Sequence, residues 1–189
     1  MKQLRADYRA RMAPLAPHRF VYLDETGAHL GLTRAYGRAA PGQRVVEATP
    51  DYSGPHYTLV AALGWNGIQA PLVFEGPMTR SVFETYVTKC LAPSLCHGDV
   101  VVMDNLSAHK SAGIQAAIEA RGARLEYLPP YSSDFNPIEL GWAKVKTVLR
   151  AAKARLYSDL IEAIRQGLQL ISAADAQAWF AHCQCAINA

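Results

Sequence analysis

No hydrophobic run in these 189 residues is long enough to cross a bilayer. The longest, such as Leu59–Leu63 and Val100–Met103, fall far short of the roughly 20 residues a spanning helix needs. The basic opening stretch MKQLRADYRARM has no apolar segment behind it, so it does not read as a secretory signal, and a cytoplasmic chain with no membrane partner is expected. Cysteine is scarce. Cys90/Cys96 and Cys183/Cys185 form two loose pairs, neither with C-x-x-C spacing, and a reducing compartment argues against disulfides. His182-Cys183-x-Cys185 has the look of half a zinc site, but no second half is evident, so reduced thiols are the plainer reading. Repeats, low-complexity tracts and long linkers are absent too, and the length fits one domain with a short helical appendix.

Charge of one sign is also lacking: 19 Lys and Arg face 16 Asp and Glu, a net charge of +3. Bulk charge therefore does not announce a polyanionic partner. Its distribution says more. Lys2, Arg5, Arg9, Arg11 and Arg19 are opposed only by Asp7, and Lys144, Lys146, Arg150, Lys153 and Arg155 follow Glu139. Each block suits either a phosphate-tracking surface, with Lys144, Lys146 and Arg150 as the named DNA contacts, or a solvated helix face.

What is present is a clear alternation of elements. Arg19–Glu25 reads as a strand closing at Thr26-Gly27. Leu30–Thr33, Arg44–Ala48, Tyr57–Gly64 and Ile68–Phe74 read as further strands of an antiparallel meander, with 34–42 as a loop or hairpin tip. Thr79 is placed to cap a helix carrying Val82, Phe83, Tyr86, Val87 and Leu91 on one side. Asp99–Asp104 reads as a buried central strand, Ser111–Ala120 as a helix stopped by Gly122, and Arg124–Leu128 as a last strand before Pro129-Pro130. Pro137 opens a helix through Ile138, Trp142, Val145 and Leu149. Two more helices follow, the first with Leu160, Ile164 and Leu168 on one face and the second behind a capping box of Ser172 and Asp175. A mixed central sheet flanked by helices, an α/β fold with C-terminal helices, is the architecture this order predicts.

Three acids stand at element ends. Asp24 and Asp104 close two strands, which would bring their carboxylates to one sheet edge if the strands are neighbours. Glu139 lies in the first turn of a helix that could reach the same edge. Hard cations such as Mg²⁺ take oxygen ligands, and a pair of them about 3.5–4 Å apart supports in-line phosphoryl displacement. Turn chemistry and the helix dipole account for such acids equally well on residue type alone.

The flanking residues add a family. LDETG at Leu23–Gly27, DNLSAHK at Asp104–Lys110 and LPPYSSDFNPIELGWAKVK at Leu128–Lys146 resemble the mariner-type DDE transposases, in particular the bacterial insertion-sequence 630 branch. Thirty-four residues separate Asp104 from Glu139, the spacing of that branch. LTRAYGRAAPG at Leu32–Gly42 and WFAHC at Trp179–Cys183 are similar to family elements as well. The resemblance implies an RNase H-like catalytic domain over 19–155, a basic segment over 1–18 and a helical appendix over 156–189. It implies that Asp24, Asp104 and Glu139 are catalytic ligands of Mg²⁺ or Mn²⁺, two ions in all. It further implies transposon ends and target DNA as partners, insertion at TA, a homodimer, and an N-terminal helix-turn-helix module; this chain reads as the catalytic half, either a second frame with an upstream helix-turn-helix polypeptide, a product joined to that frame by frameshifting, or a truncated relic. A stand-alone nuclease and a non-catalytic DNA-binding remnant remain open as alternatives.

Around the triad, Asn105 either orients the site or caps the strand end. His109 either approaches the scissile phosphate, hydrogen-bonds behind the site, or is a plain loop histidine. Asn136 is expected to shape the entry to the Glu139 helix as a cap, and Trp142 to be core. Glu25 is discounted as a ligand because adjacent strand residues face opposite sides.

Overall fold

The computed structural model describes residues 2–106 and 109–183. Five strands form one sheet: β1 (Phe20–His29), β2 (His56–Gly64), β3 (Gly67–Glu75), β4 (Val100–Met103) and β5 (Arg124–Tyr127), in the order β3-β2-β1-β4-β5. The β1–β2 and β2–β3 pairs are antiparallel, and β4 joins β1 and β5 in parallel. A tight hairpin joins β2 to β3, and a long loop joins β1 to its antiparallel neighbour β2. The parallel half needs crossovers, and these are helical.

Seven-residue α2 (Arg80–Tyr86) runs on into a π-helical turn, Val87–Leu91, and α3 (Ala112–Glu119) links β4 to β5. Thr79 and Ser111 cap these two helices by accepting from the main-chain N–H of Val82 and Ile114. Both pack on one face of the sheet, over Val21, Leu23, Val101 and Met103. The other face carries α4 (Ile138–Ala152), α5 (Tyr157–Gln169) and α6 (Ala173–His182). There Phe20, Tyr22, Val100 and Val102 meet Trp142, Val145, Ile164 and Phe180 in one core. Gly167 lets α5 lie against α4, since a Cβ there would stand 3.3 Å from Val145. The expected Ser172–Asp175 capping box forms in full. This two-faced mixed sheet is the α/β architecture that the order of elements predicts, and it agrees with the RNase H-like fold that the family resemblance implies.

Two expectations fail. Thr26-Gly27 does not turn, because β1 continues to His29 with Gly27 paired to Thr58. Leu30–Thr33 and Arg44–Ala48 are not strands; 30–55 is an irregular excursion between β1 and β2. Both edges of β1 are already taken by β2 and β4. Residues 44–48 have β-branched side chains but no partner ladder, and Val46 is 84% exposed. Propensity without packing does not make a strand.

The opening basic block proves to be largely structural. α1 (Lys2–Met12) buries Tyr8 and Met12. Its Arg5 forms a bidentate pair with Asp134, the shorter contact 2.5 Å, also reaches Ser132 Oγ at 3.0 Å, and lies 4.0 Å from the centre of the Phe135 ring. Arg11 pairs with Glu126 at 3.4 Å, and Arg19 donates to the His97 carbonyl. Arg5→Ala should remove about 1 kcal/mol, the upper range for a partly exposed pair with a cation–π contact. At this chain length that is a fall in Tm of about 2–4 °C, readable by calorimetry; an unchanged Tm would show that the clasp carries no stability.

Candidate active site

The parallel β1–β4 register sets the site. Phe20, Val21 and Tyr22 pair with Val100, Val101 and Val102, and the same offset brings Asp24 level with Asp104 just beyond the ladder. Strand alternation then decides the direction of each side chain. Asp24 shares parity with Phe20 and Tyr22, so it turns toward α4. Glu25 shares parity with Val21 and Leu23, so it turns toward α2 and α3. Beyond β5, Leu128–Pro130 and the loop to Asn136 close over the sheet edge, and α4 begins there with Glu139 in its first turn. Asp24, Asp104, Asn105, Asn136 and Glu139 thus line one cleft of about 460 Å³.

Each acid has a different environment. Asp24 Oδ2 accepts from the Trp142 indole N–H at 3.1 Å. Burial, then the charges of Glu139 and Glu25, push its carboxyl up to about 7, against the weaker downward pull of the Glu25 N–H and Trp142. Asp104 Oδ1 meets His109 Nδ1 at 2.5 Å and the Leu106 N–H at 3.1 Å. Burial alone would raise Asp104, but the His109 bond, the Leu106 N–H and the His109 charge outweigh it and hold the carboxyl below its usual value. His109 is raised in turn: burial opposes its protonation, and the Asp104 bond with the charges of Asp104, Glu25 and Asp24 overcomes this. Glu139 is exposed, at the positive end of the α4 dipole.

His109 lies behind the cleft, 3% exposed, its ring stacked 3.9 Å from Phe83. Ser107 and Ala108 of the DNLSAHK stretch lie outside the described residues. Asn136 does not cap α4, as no side chain does. Pro137 occupies the cap position, and the Asn136 side-chain oxygen is buried without a partner beside the acids. Of the proposed DNA contacts, Lys144 is engaged with Asp175 at 2.8 Å, whereas Lys146 and Arg150 have no ion pair among the described residues. Both follow Glu139 along α4, two and three turns away. Lys153 pairs with Glu47, and Arg155 donates to the carbonyls of Leu30 and Leu32. Cys183 is buried, which pushes its thiol up to about 11, an environment for a protonated thiol rather than a zinc ligand; Cys185 lies outside the described residues.

Sequence reasoning missed three features. Trp142 is core as expected, yet it also holds Asp24, a role hinted at by the rule that a buried indole finds an acceptor. Glu25, discounted as a ligand, faces His109 Nε2 at 3.7 Å. Tyr131 stands at the cleft rim, 93% exposed, with φ +53, a conformation that costs a non-glycine residue about 1 kcal/mol or more.

Among the described residues no three His, Cys, Asp or Glu side chains are drawn together tightly enough to enclose an ion unaided. The donor set still fits a hard cation. Every polar group that enters the cleft from the triad is a carboxylate, an amide oxygen stands unpartnered among them, and the repulsion that adds to burial in lifting Asp24 is what a positive charge would relieve. Mg²⁺-type ions take one or two protein carboxylates and complete their shell with substrate oxygens and water, so a looser cleft is compatible.

No curated protein matches the chain. Solved structures do. The Mos1 strand transfer complex aligns with a TM-score of 0.75 at 16% identity, over 95% of this chain and 56% of that one. The Mos1 mariner paired end complex with Mn gives 0.71 at 15%, over 95% and 57%. The catalytic domain of Mos1 mariner transposase gives 0.70 at 11%, over 98% and 90%. This chain therefore spans little more than half the length of the Mos1 chains in those complexes, and nearly the whole of the catalytic domain alone. At such identities the likeness establishes the fold. The sequence itself carries the rest: residues 19–161 match the family described as DDE superfamily endonuclease, a stretch that takes in Asp24, Asp104 and Glu139 and most of the chain, and to that family this protein belongs.

Proposed function

We propose that this chain is the catalytic domain of a DNA transposase, hydrolysing phosphodiester bonds at element ends and joining the freed 3′-hydroxyl to target DNA. The observation that carries the reading is the convergence of Asp24, Asp104, Glu139 and the unpartnered Asn136 oxygen on one cleft, in a member of the DDE superfamily endonucleases. The three acids would hold Mg²⁺ or Mn²⁺, the metals with which Mos1 complexes have been solved, and two such ions would suit the chemistry. Such ions would supply Lewis-acid activation of the attacking oxygen and stabilise the leaving one.

The chain's own groups prepare that site. Trp142 fixes one oxygen of Asp24, Oδ2. His109 and the Leu106 N–H both hold Asp104 Oδ1. The positive end of α4 supports charge at Glu139 and on a nearby phosphate. Lys146 and Arg150, about 10 and 16 Å along the helix from Glu139, extend a cationic track away from the chemistry. Contacts of that kind give salt-sensitive affinity without sequence choice.

Finer assignments are part of the same proposal: the bacterial insertion-sequence 630 branch, supported by the 34-residue spacing; TA insertion; a dimeric assembly; a helix-turn-helix partner that reads the ends; and a cytoplasmic site of action. The division into 1–18, 19–155 and 156–189 belongs here too, with α1 and α6 both packed into the core of the central unit.

The test is a joining assay. The protein with Mn²⁺ is incubated with pre-cut duplexes bearing the inverted repeats that flank its gene, plus supercoiled plasmid. Joined product is expected, and should weaken steeply as salt rises. Plasmid nicking without joined product would replace the transposase reading with that of a nuclease, and neither product would leave a non-catalytic remnant.

A further inference from the structure

Glu25 is an unexpected residue for its position. On β1 it takes the place of an apolar side chain in the layer formed by Val21, Leu23, Phe83 and Met103. Its Oε2 is buried with no hydrogen-bond partner. A carboxylate there is costly unless another group answers it, and that group is His109, whose Nε2 stands 3.7 Å from Glu25 Oε1.

The imidazole is held on every side. Its ring stacks on Phe83 at 3.9 Å, its Nδ1 lies 2.5 Å from Asp104 Oδ1, and the Tyr127 hydroxyl anchors the main chain by donating to the His109 carbonyl at 3.1 Å. A carboxylate can only accept, so Nδ1 carries the proton toward Asp104. A row therefore runs through the sheet edge from Glu25 to His109 to Asp104, beginning on the face away from the cleft and ending inside it.

We propose that Glu25 is a positioning residue for the cation site: through His109 it fixes Asp104 Oδ1 in place, so that Oδ2 is presented to the metal. The inference rests on the reading of Asp104 as a metal ligand. It also explains why adjacent acids, Asp24 and Glu25, both suit one strand although alternation sends them to opposite faces. Partners standing behind metal ligands commonly change metal affinity by about 10–100-fold when removed, because they set ligand orientation.

Mn²⁺ binding to the DNA-free protein, followed by calorimetry or by the free-ion magnetic resonance signal, tests this apart from activity. Glu25→Gln keeps the shape and removes the charge; it should weaken Mn²⁺ binding about tenfold without lowering Tm. His109→Asn keeps a donor near the Nδ1 position but nothing at Nε2, and should weaken binding to a similar degree. In the His109→Asn background, Glu25→Gln should add little, since its route to Asp104 is already cut. Wild-type Mn²⁺ affinity in Glu25→Gln, with Asp104→Asn impaired, would overturn the role of Glu25 and leave the metal site standing. An undiminished second effect in the double variant would also overturn it, because Glu25 would then act by another path. If Asp104→Asn itself bound Mn²⁺ like wild type, the metal site would fall and the inference with it.

Discussion

Asp104→Asn and Glu139→Gln should each reduce Mn²⁺-dependent cleavage of supercoiled DNA by about a thousandfold or more while leaving the protein folded. Both replacements keep side-chain size, so what they remove is charge. Asp104 is held below its ordinary titration range by its bonds to His109 and the Leu106 N–H, so it is ionised throughout any working pH. Losing one anionic ligand removes several kcal/mol of charge stabilisation at a metal-assisted phosphoryl displacement, and about 4 kcal/mol corresponds to a thousandfold in rate. The stability cost is small in each case. Glu139 is exposed, and surface replacements usually stay within about 0.5 kcal/mol. An asparagine at 104 can still accept from His109. Plasmid nicking measured beside the melting temperature separates the two effects; activity within tenfold of wild type in either variant would remove that residue from the ligand set.

The parts of this site that the sequence displays are those fixed by local rules. A run of β-branched residues ending in Asp104 announces a buried strand and places its acid at a strand end. Pro137 announces the helix that carries Glu139. The elements that stay hidden depend on distant partners. Nothing near Arg5 or Arg11 in the sequence shows that Asp134 and Glu126 engage them, so the opening basic block resembles a DNA-binding surface until the chain is folded. Arg44–Ala48 has strand-forming side chains, but only the sheet order shows that no edge of β1 is left for it. Asn136 sits where a cap is expected, but α4 begins one residue later, with Pro137 at the cap position, and the Asn136 side chain lines the cleft instead. The Glu25–His109 contact bridges two elements brought together only by the β1–β4 register. Strand alternation correctly excluded Glu25 from the cleft, and the same alternation sends it to the imidazole behind Asp104.

The metal-free protein should become less stable as pH rises from about 5 to 8, and Mn²⁺ should reverse that trend. Folding lifts the Asp24 carboxyl from its ordinary 3.8 to about 7, chiefly by burial and by the charge of Glu139. Between those values the folded state binds a proton that the unfolded state has released, so the contribution of Asp24 is fully present below about pH 4 and lost as pH rises through 7. The difference is on the order of 4 kcal/mol. Glu25 and His109 are both raised as well, Glu25 mainly by burial and His109 by its carboxylate neighbours against burial, and they act in the same direction. Asp104 is lowered and acts the other way, but its contribution is lost only below about pH 4. His29, lowered mainly by burial, opposes the trend below its ordinary titration range. In EDTA, Tm should therefore fall by several degrees, up to about 10 °C, between pH 5 and 8. Asp24→Asn should raise Tm at pH 8 and flatten the profile, because an amide bears no charge for Glu139 to repel. A cation binds the ionised carboxylate, so excess Mn²⁺ should stabilise the wild type increasingly above pH 7, by about 2.7 kcal/mol at a hundredfold excess over Kd, and Asp24→Asn far less. An equal pH slope in the wild type and Asp24→Asn would show that the strain does not reside at Asp24. A slope reduced in Asp24→Asn to the remainder due to Glu25 and His109, together with the lost Mn²⁺ response, would place most of the destabilisation and the metal affinity on the same carboxylate.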